Sequence, residues 1–286
     1  MLRLALPNKG RLAEDTLTLF ADAGLAPESR ADRALSTSLG GEFEAIFVRA
    51  QDIPEFVADG AADAGVTGWD LVCESARPLT SSLDLGFGQC RMIVAARTES
   101  TIESVADIAD GARVATSFPR VTAEYFSSAG RSVEIVPVSG ATESAPRLGI
   151  ADIIVDLTSS GSTLRSNGLR EIAMVLTSSA RLVTRENVAS SDQATTLYEL
   201  RLALESVLRA RGMRYLMANV PRDQLDHVKS IVPGLNGPTI SAILNGGNMA
   251  AVHAVVPADR VYRTIAQLKA LGGEGILVTR IERLMS

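Results

Sequence analysis

Residues 152–164 read DIIVDLTSSGSTL, an apolar run followed by a turn of small polar residues. The run Ala151–Asp156 is rich in β-branched residues, which predicts a buried strand. The next five residues, Ser159–Thr163, are called the Ser-Gly loop here, and we expect a helix to start near Thr163. A strand, a short turn and a helix in this order are the repeating unit of α/β folds.

The same alternation of strand and helix extends along the first three quarters of the chain. Strand–helix alternation predicts parallel sheets covered by helices, so we predict an α/β fold for this part. The other predicted strands are Leu2–Leu6, Gly41–Arg49, Ala62–Thr67, Arg91–Ala96, Ala112–Thr116, Val133–Val138 and Ile172–Thr184. The predicted helices include Asp52–Ala58, Val121–Ala129, Thr142–Leu148 and Asp192–Arg211.

The order of the predicted strands and helices changes after Gly212. The remaining segment predicts the order βαββαβ, which is the ferredoxin-like arrangement. Its predicted strands are Tyr215–Val220, Thr239–Leu244, Ala251–Val256 and Gly275–Ile281, and its predicted helices are Arg222–Val232 and Ala258–Leu271. We therefore predict a domain boundary near Gly212.

The composition limits the classes of function. The chain has 286 residues, 46% of them hydrophobic, and a formal net charge of −5, so we expect no nucleic-acid partner. No stretch reaches the roughly 18 apolar residues of a membrane span, and the N-terminus lacks a secretion pattern. Two cysteines and two histidines argue against a disulfide framework or a His-rich metal site. We expect a reduced, cytoplasmic protein without a membrane partner.

The Ser-Gly loop has the residue types of a phosphate-binding turn. Gly161 lets the backbone approach a ligand closely, and the loop N–H groups can donate to phosphate oxygens. The hydroxyls that would add to them belong to Ser159, Ser160, Ser162 and Thr163. Asp152 and Asp156 lie at the ends of the preceding strand, where a carboxylate could bind ribose hydroxyls. An ordinary polar turn with a helix-capping Ser or Thr explains the same pattern.

A second group of candidates follows other strands. Lys9 and Arg11 lie in the turn Pro7–Arg11, called the basic turn here, and suit a polyphosphate. Arg49 ends another predicted strand and would reach the same cleft. Asp70 follows Trp69, the single tryptophan, which could stack on a base. A solvated turn and a packing role for Trp69 are the alternatives.

The phosphate-binding patterns GxxxxGK[ST] and GxGxxG are absent, but longer motifs span the chain. Together these motifs resemble the long form of the ATP phosphoribosyltransferase family, which opens histidine biosynthesis. They are LALPNKGRL at 4–12, VRAQDIPEFVADGAADAGVTGWDLV at 48–72, ADIIVDLTSSGSTLRSNGL at 151–169, GLNGPTISAIL at 234–244 and KALGGEGILV at 269–278.

The resemblance implies a two-lobed catalytic part with a type II periplasmic-binding-protein-like fold. The chain would cross between the lobes near residues 90 and 180. Residues 1–90 and 181–211 would then form lobe I, and residues 91–180 would form lobe II. Residues 212–286 would form an ACT-like domain that binds histidine as an inhibitor near Asn219, Thr239 and Ile240.

The resemblance also implies a reaction and its participants. ATP would react through N1 with phosphoribosyl pyrophosphate, with Mg²⁺ on the leaving pyrophosphate, in a homo-oligomer that is a hexamer or a dimer. The Ser-Gly loop would hold the 5′-phosphate, and Asp152 and Asp156 would face the ribose. Lys9, Arg11 and Arg49 would bind the charged groups, and Asp70 would help to hold the nucleotide. A pure binding protein and a phosphoribosyltransferase for another base are the alternatives.

Overall fold

The computed structural model describes residues 1–28, 36–186, 191–244 and 247–285. The chain divides into two compact units, Met1–Arg201 and Leu202–Ser286. The division lies within helix α6 (Ser191–Ala210), whereas the sequence predicted it near Gly212. One reason is that the end of this helix belongs to the second unit, where the N–H of Leu284 donates to the carbonyl of Ser206 at 2.9 Å.

The first sheet of unit 1 has six strands and forms lobe I. Its order is β2-β3-β1-β4-β11-β5, where β1 is parallel to β3 and β4, and β11 is antiparallel to both of its neighbours. The strands are β1 (Leu2–Pro7), β2 (Ser36–Leu39), β3 (Phe43–Val48), β4 (Ala64–Gly68), β5 (Leu79–Asp84) and β11 (Ala180–Arg185). Its helices are α1 (Gly10–Asp22), α2 (Ile53–Ala58) and α3 (Trp69–Ser75).

The second sheet of unit 1 has five strands and forms lobe II. Its order is β10-β6-β9-β7-β8, with β7 parallel to β8 and β9, and β6 antiparallel to β9 and β10. The strands are β6 (Cys90–Arg97), β7 (Ala112–Thr116), β8 (Val133–Pro137), β9 (Ile153–Thr158) and β10 (Leu169–Ser178). Its helices are α4 (Pro119–Ser128) and α5 (Ser162–Ser166).

The chain passes between the two sheets twice, once between β5 and β6 and once at Ser179 between β10 and β11. The two-lobed α/β architecture is therefore confirmed. The single strand predicted over Ile172–Thr184 is wrong, because two strands of different sheets meet there. Two buried serines lie where β10 gives way to β11. The hydroxyl of Ser178 donates to Asp70, and that of Ser179 donates to Asp84.

Three further expectations differ from the structure. The sheets are mixed rather than parallel, because the strands next to the crossovers run antiparallel to their neighbours. Strands β2 and β5 were not predicted; both carry short polar sequences, STSL and LTSSLD. The helix predicted over Thr142–Leu148 contains only a short 3-10 turn at Thr142–Ser144.

The second unit has the predicted order βαββαβ. It consists of β12 (Met213–Pro221), α7 (Leu225–Ile231), β13 (Thr239–Ala242), β14 (Met249–Pro257), α8 (Val261–Ala270) and β15 (Glu274–Arg280). The sheet order is β13-β14-β12-β15, and all of its pairs are antiparallel. Leu216, Val252 and Leu268 lie in a core of its own.

Within the described ranges, no helix is both long and apolar enough to span a bilayer.

Gly65 fixes how closely α2 packs on the first sheet. A Cβ on Gly65 would lie 2.5 Å from Cγ2 of Ile53 and 3.1 Å from the carbonyl oxygen of Ala5. We predict that Gly65→Ala lowers the free energy of unfolding by about 1–3 kcal/mol, because the extra methyl overpacks the core. Urea denaturation measures this change, with Gly140→Ala as the control, since nothing lies within 4 Å of that Cβ position. Equal stability of the two variants would contradict the prediction.

Candidate functional site

The Ser-Gly loop follows β9 and has the tight geometry that the sequence suggested. Gly161 has a φ of 71°, in the left-handed region, and precedes α5. Its N–H donates to Oγ1 of Thr158 at 2.9 Å, and the hydroxyls of Ser160 and Ser162 lie 2.9 Å apart. A Cβ on Gly161 would lie 3.0 Å from Nη1 of Arg165. The turn therefore requires glycine at this position.

The loop presents hydrogen-bond donors to solvent. Ser159, Ser160 and Thr163 are exposed. Among the residues that the structure describes, the backbone N–H groups of these three residues have no acceptor. Arg165, which sequence reasoning missed, donates to the carbonyl of Ser160 at 3.3 Å and adds a positive charge beside the loop. Unpaired donors next to a cation suit a phosphate group.

The two aspartates of the predicted ribose site lie at opposite ends of β9. Asp156 lies near the loop, and burial raises the pKa of its carboxyl above the ordinary value, with a further rise from the charge of Glu143. Asp152 precedes the 6-residue strand, so about 20 Å of strand separates it from the loop. Its carboxylate accepts the N–H of Arg113 at 2.8 Å. The prediction that Asp152 faces the ribose together with Asp156 is therefore wrong for this structure.

The backbone places the predicted cations of lobe I at one edge of the first sheet. Pro7 pairs with Val48 in the parallel register of β1 and β3, and the N–H of Asn8 donates to the carbonyl of Val48 at 2.9 Å. Lys9 and Arg11 therefore leave the sheet beside Arg49. All three cationic side chains are exposed, and no carboxylate in the described ranges forms an ion pair with them. Such an uncompensated group suits an anionic ligand.

Asp70 does not offer its carboxylate to a nucleotide in this structure. The residue is only 5% exposed, and its Oδ1 accepts the hydroxyl hydrogen of Ser178 at 2.5 Å. Burial raises the pKa of the Asp70 carboxyl, and the hydrogen bond from Ser178 partly opposes that rise. The predicted contact between Asp70 and the nucleotide is thus replaced by a bond to the β10–β11 crossover, because the turn after β4 folds the side chain inward.

Arg181 is a site residue that the sequence did not indicate. It forms an ion pair with Asp84 at 3.2 Å and lies over the ring of Trp69, 5.5 Å from the ring centroid. The side chain is held by Ser81 and Ser179, each through a bond of 3.2 Å. The sequence did not indicate Arg181 as a site residue because it lies inside the run that was predicted to be one continuous strand.

A polar cavity of about 430 Å³ joins the Ser-Gly loop to the crossovers. Arg91, Ser159, Thr177, Ser179 and Arg181 are among its lining residues. Both crossovers connect the carboxyl edge of the first sheet to the carboxyl edge of the second, since Asp84 pairs with Arg181 and Arg91 pairs with Thr158. Ligands of open α/β sheets bind at such edges.

The second unit contains the residues predicted to bind histidine, but they do not share one face. Thr239 pairs with His253, which pairs with Met217, and Asn219 lies on the same face of β12 as Met217. Ile240 pairs with Val252, which is buried in the helix-side core. Asn219 and Thr239 therefore lie on the open face of the sheet, whereas Ile240 lies on the opposite face. The grouping of all three residues is wrong because adjacent strand residues alternate between faces.

The comparisons with known proteins match both units. The family model described as ATP phosphoribosyltransferase matches residues 49–206, and the model described as HisG, C-terminal domain matches residues 210–283. The chain belongs to the ATP phosphoribosyltransferase family. It is thus a pentosyltransferase of the first step of histidine biosynthesis, and the C-terminal match supports the long form. Membership of an enzyme family decides against the alternative of a pure binding protein.

Individual relatives agree with this membership. An ATP phosphoribosyltransferase of Gemmatimonas aurantiaca is 64% identical over 100% of both chains. Another from Methanocaldococcus jannaschii is 42% identical, again over 100% of both chains. Among solved structures, a chain of the ATP phosphoribosyl transferase (HisG:HisZ) complex from Thermotoga maritima has 29% identity and a TM-score of 0.64. That match covers 73% of this chain and 99% of the other.

The buried Asp70 gives a prediction for the pH dependence of stability. Its folded pKa lies above the unfolded value of about 4, so the native state binds more protons between the two values. The carboxyl therefore stabilises the fold less as the pH rises through this window. Asp70→Asn keeps an acceptor for Ser178 but cannot ionise. We predict that the free energy of unfolding of the wild type, minus that of Asp70→Asn, falls as the pH rises from about 4 and levels off above the folded pKa.

Urea denaturation of both proteins across this pH range measures the difference. Asp223→Asn, a change at an exposed carboxylate in the second unit, is the control. A difference between wild type and Asp70→Asn that does not change with pH would refute the interpretation.

Proposed function

We propose that the enzyme joins N1 of ATP to C1 of phosphoribosyl pyrophosphate, with inversion at C1 and release of pyrophosphate. One observation supports this proposal most strongly. The donor-rich Ser-Gly loop of lobe II and the unpaired cations of lobe I both lie at carboxyl edges that the crossovers connect. A reaction between two anionic substrates needs two such binding regions at one cleft.

Each region has a role in the proposal. The backbone N–H groups of the Ser-Gly loop would bind the 5′-phosphate, with Arg165 adding positive charge beside it. Asp156 would accept hydrogen bonds from ribose hydroxyls. Lys9, Arg11 and Arg49 would bind the pyrophosphate end and the triphosphate, which carry most of the negative charge. Arg181 and Trp69 would form a wall of the cleft next to these groups.

The proposed chemistry needs no nucleophile from the protein, because adenine N1 attacks and pyrophosphate is the leaving group. The protein then contributes alignment of the two substrates and stabilisation of the charge that develops on the leaving group. Alignment alone can contribute about 7–11 kcal/mol to lowering a barrier. Lys9, Arg11 and Arg49 suit the stabilisation of negative charge on the leaving pyrophosphate.

A Mg²⁺ ion would arrive with the pyrophosphate rather than occupy a site built by the protein alone. In the described ranges no three His, Cys, Asp or Glu side chains are grouped to hold a metal ion. Mg²⁺ commonly binds through substrate phosphates and only one or two carboxylates, and Asp156 offers one carboxylate near the loop. When bound, the ion would neutralise charge on the leaving pyrophosphate.

Regulation, assembly and location complete the proposal. Histidine would inhibit by binding to the open face of the second unit around Asn219 and Thr239. The enzyme would act as a homo-oligomer, a hexamer or a dimer, in the cytoplasm. The support for these points is the match of the second unit to the C-terminal domain model and the membership of the family.

The role of the loop can be tested at its glycine. We predict that Gly161→Val raises the KM for phosphoribosyl pyrophosphate by at least about tenfold, because the side chain displaces the N–H groups that would face the phosphate. The ultraviolet absorbance of the product gives the rate. Gly168→Val is the control, since Gly168 also has a positive φ, of 69°, but follows α5 at its other end. Equal KM values for the two variants would show that the Ser-Gly loop does not bind phosphoribosyl pyrophosphate.

The histidine site can be tested by comparing the two faces of the second unit. We predict that Asn219→Ala and Thr239→Ala each raise the histidine concentration needed for half-maximal inhibition by at least about tenfold, since each loses a hydrogen bond to the ligand. Ile240→Ala changes the opposite face and leaves inhibition within about twofold. Inhibition that Ile240→Ala weakens as much as the other two variants would place the ligand elsewhere.

A further inference from the structure

Helix α3 connects the two lobes of unit 1. It follows β4 at the carboxyl edge of the first sheet, and its N-terminal end belongs to lobe I. Yet Leu71 and Cys73, on this helix, pack against the core of lobe II. Because the helix has 7 residues, it spans about 10 Å between its ends.

The second turn of α3 binds lobe II through one carboxylate. Oε1 of Glu74 accepts the N–H of Arg120, and Oε2 accepts the N–H of Val121, both at 3.0 Å. These two N–H groups belong to the first turn of α4, where a helix has no acceptors of its own. A carboxylate is favoured there by the helix dipole as well as by the two hydrogen bonds.

The contact depends on the backbone of α4 rather than on its side chains. The guanidinium of Arg120 does not pair with Glu74; its Nε donates to Glu124, in the same helix, at 2.9 Å. Glu74 is half-buried, so solvent competes only in part for its carboxylate. Glu74 therefore joins α3 of one lobe to the start of α4 of the other by hydrogen bonds.

The first turn of α3 is attached to lobe II as well. The N–H of Asp70 donates to the hydroxyl of Ser178 at 3.0 Å, and the N–H of Trp69 donates to the carbonyl of Ser179 at 3.0 Å. The N-terminal end of α3 is thus bonded to the end of β10 and to the crossover after it. The C-terminal end of α3 is bonded to α4. A rigid element held at both ends sets a distance between the parts that it joins.

The distance that α3 sets between the lobes also determines how far apart the two proposed substrate-binding regions lie. Helix α4 follows β7, which is paired with β9 so that Thr116 lies opposite Val155. The Ser-Gly loop is the continuation of β9. On the other side, β4 is the neighbour of β1, which leads to the basic turn. A shift at the Glu74 contact would therefore change the separation between the loop and the cations of lobe I.

We propose that Glu74 is a positioning residue for the transfer reaction, acting through α4 on the separation of the two substrates. The inference rests on the proposed function, in which the Ser-Gly loop holds phosphoribosyl pyrophosphate and lobe I holds the other charged groups. Glu74 itself touches neither region. Its loss leaves each binding region intact and changes their mutual alignment.

The test is the steady-state kinetics of Glu74→Ala and Glu74→Gln. A misplacement of about 1 Å between reacting groups can cost about 100-fold in rate, so we expect kcat of Glu74→Ala to fall by about 10- to 100-fold. The KM for each substrate should stay within about twofold, because the binding residues are unchanged. Glu74→Gln keeps one acceptor oxygen and should show a smaller loss of kcat.

Glu124→Gln is the matched control. Like Glu74, Glu124 places a carboxylate against Arg120, but it lies on α4 itself and its partner is the guanidinium rather than the backbone. We expect its kcat to stay within about twofold of the wild type. Calorimetric titration with phosphoribosyl pyrophosphate, done without ATP, shows whether Glu74→Ala is folded and binds this substrate as the wild type does.

The outcomes separate this inference from the proposed function. A kcat of Glu74→Ala within twofold of the wild type overturns the positioning role, as does a loss of binding in the titration or a loss of rate in Glu124→Gln as large as in Glu74→Ala. The proposed function fails in a different way, through a normal KM for phosphoribosyl pyrophosphate in Gly161→Val. A selective loss of kcat in Glu74→Ala, smaller in Glu74→Gln, supports the inference.

Discussion

The two crossings of the chain between the sheets are the constraint on which the catalytic part depends. Strand β11 returns to lobe I after the whole of lobe II and lies between β4 and β5, so the sheet of lobe I is complete only once the chain has passed through lobe II. The crossing at Ser179 joins the carboxyl edges of both sheets. Residues that follow parallel strands in either lobe are thereby directed toward one cleft, which explains why a site assembled from distant stretches of sequence is compact.

Buried polar groups hold these crossings in place. Ser178 bonds to Asp70, and Ser179 bonds to Asp84, which in turn pairs with Arg181. Burying a carboxylate is costly, and the raised pKa of Asp70 reflects that cost. Ser178, Ser179, Asp84 and Arg181 also line the cleft cavity. Stability and the geometry of the cavity are therefore coupled, whereas Lys9, Arg11 and Arg49 are exposed and add little to packing.

Sequence patterns predicted the parts of the structure that depend on local periodicity. They indicated the strand before the Ser-Gly loop, the turn that follows it, the approach of Arg49 to the basic turn and the βαββαβ order of the second unit. They failed where a long-range partner decides the outcome. The run 172–184 has strand-forming residues on both sides of Ser178 and Ser179, so nothing local shows that it changes sheets at Ser179. Asp70 and Asp152 read as ligands because a sequence does not show that Ser178 and Arg113 already occupy them. Strand alternation already separates Ile240 from Thr239, but only the pairing with β14 shows which of the two residues lies on the open face.

The central claim is that the Ser-Gly loop, rather than the cations of lobe I, binds the 5′-phosphate of phosphoribosyl pyrophosphate. The most direct measurement is a crystal structure of the enzyme with this substrate and Mg²⁺. The account predicts the 5′-phosphate within hydrogen-bond distance of the backbone N–H groups of Ser159, Ser160 and Thr163, with the pyrophosphate directed toward lobe I. A 5′-phosphate bound instead by Lys9 and Arg11, with the loop empty, would contradict it.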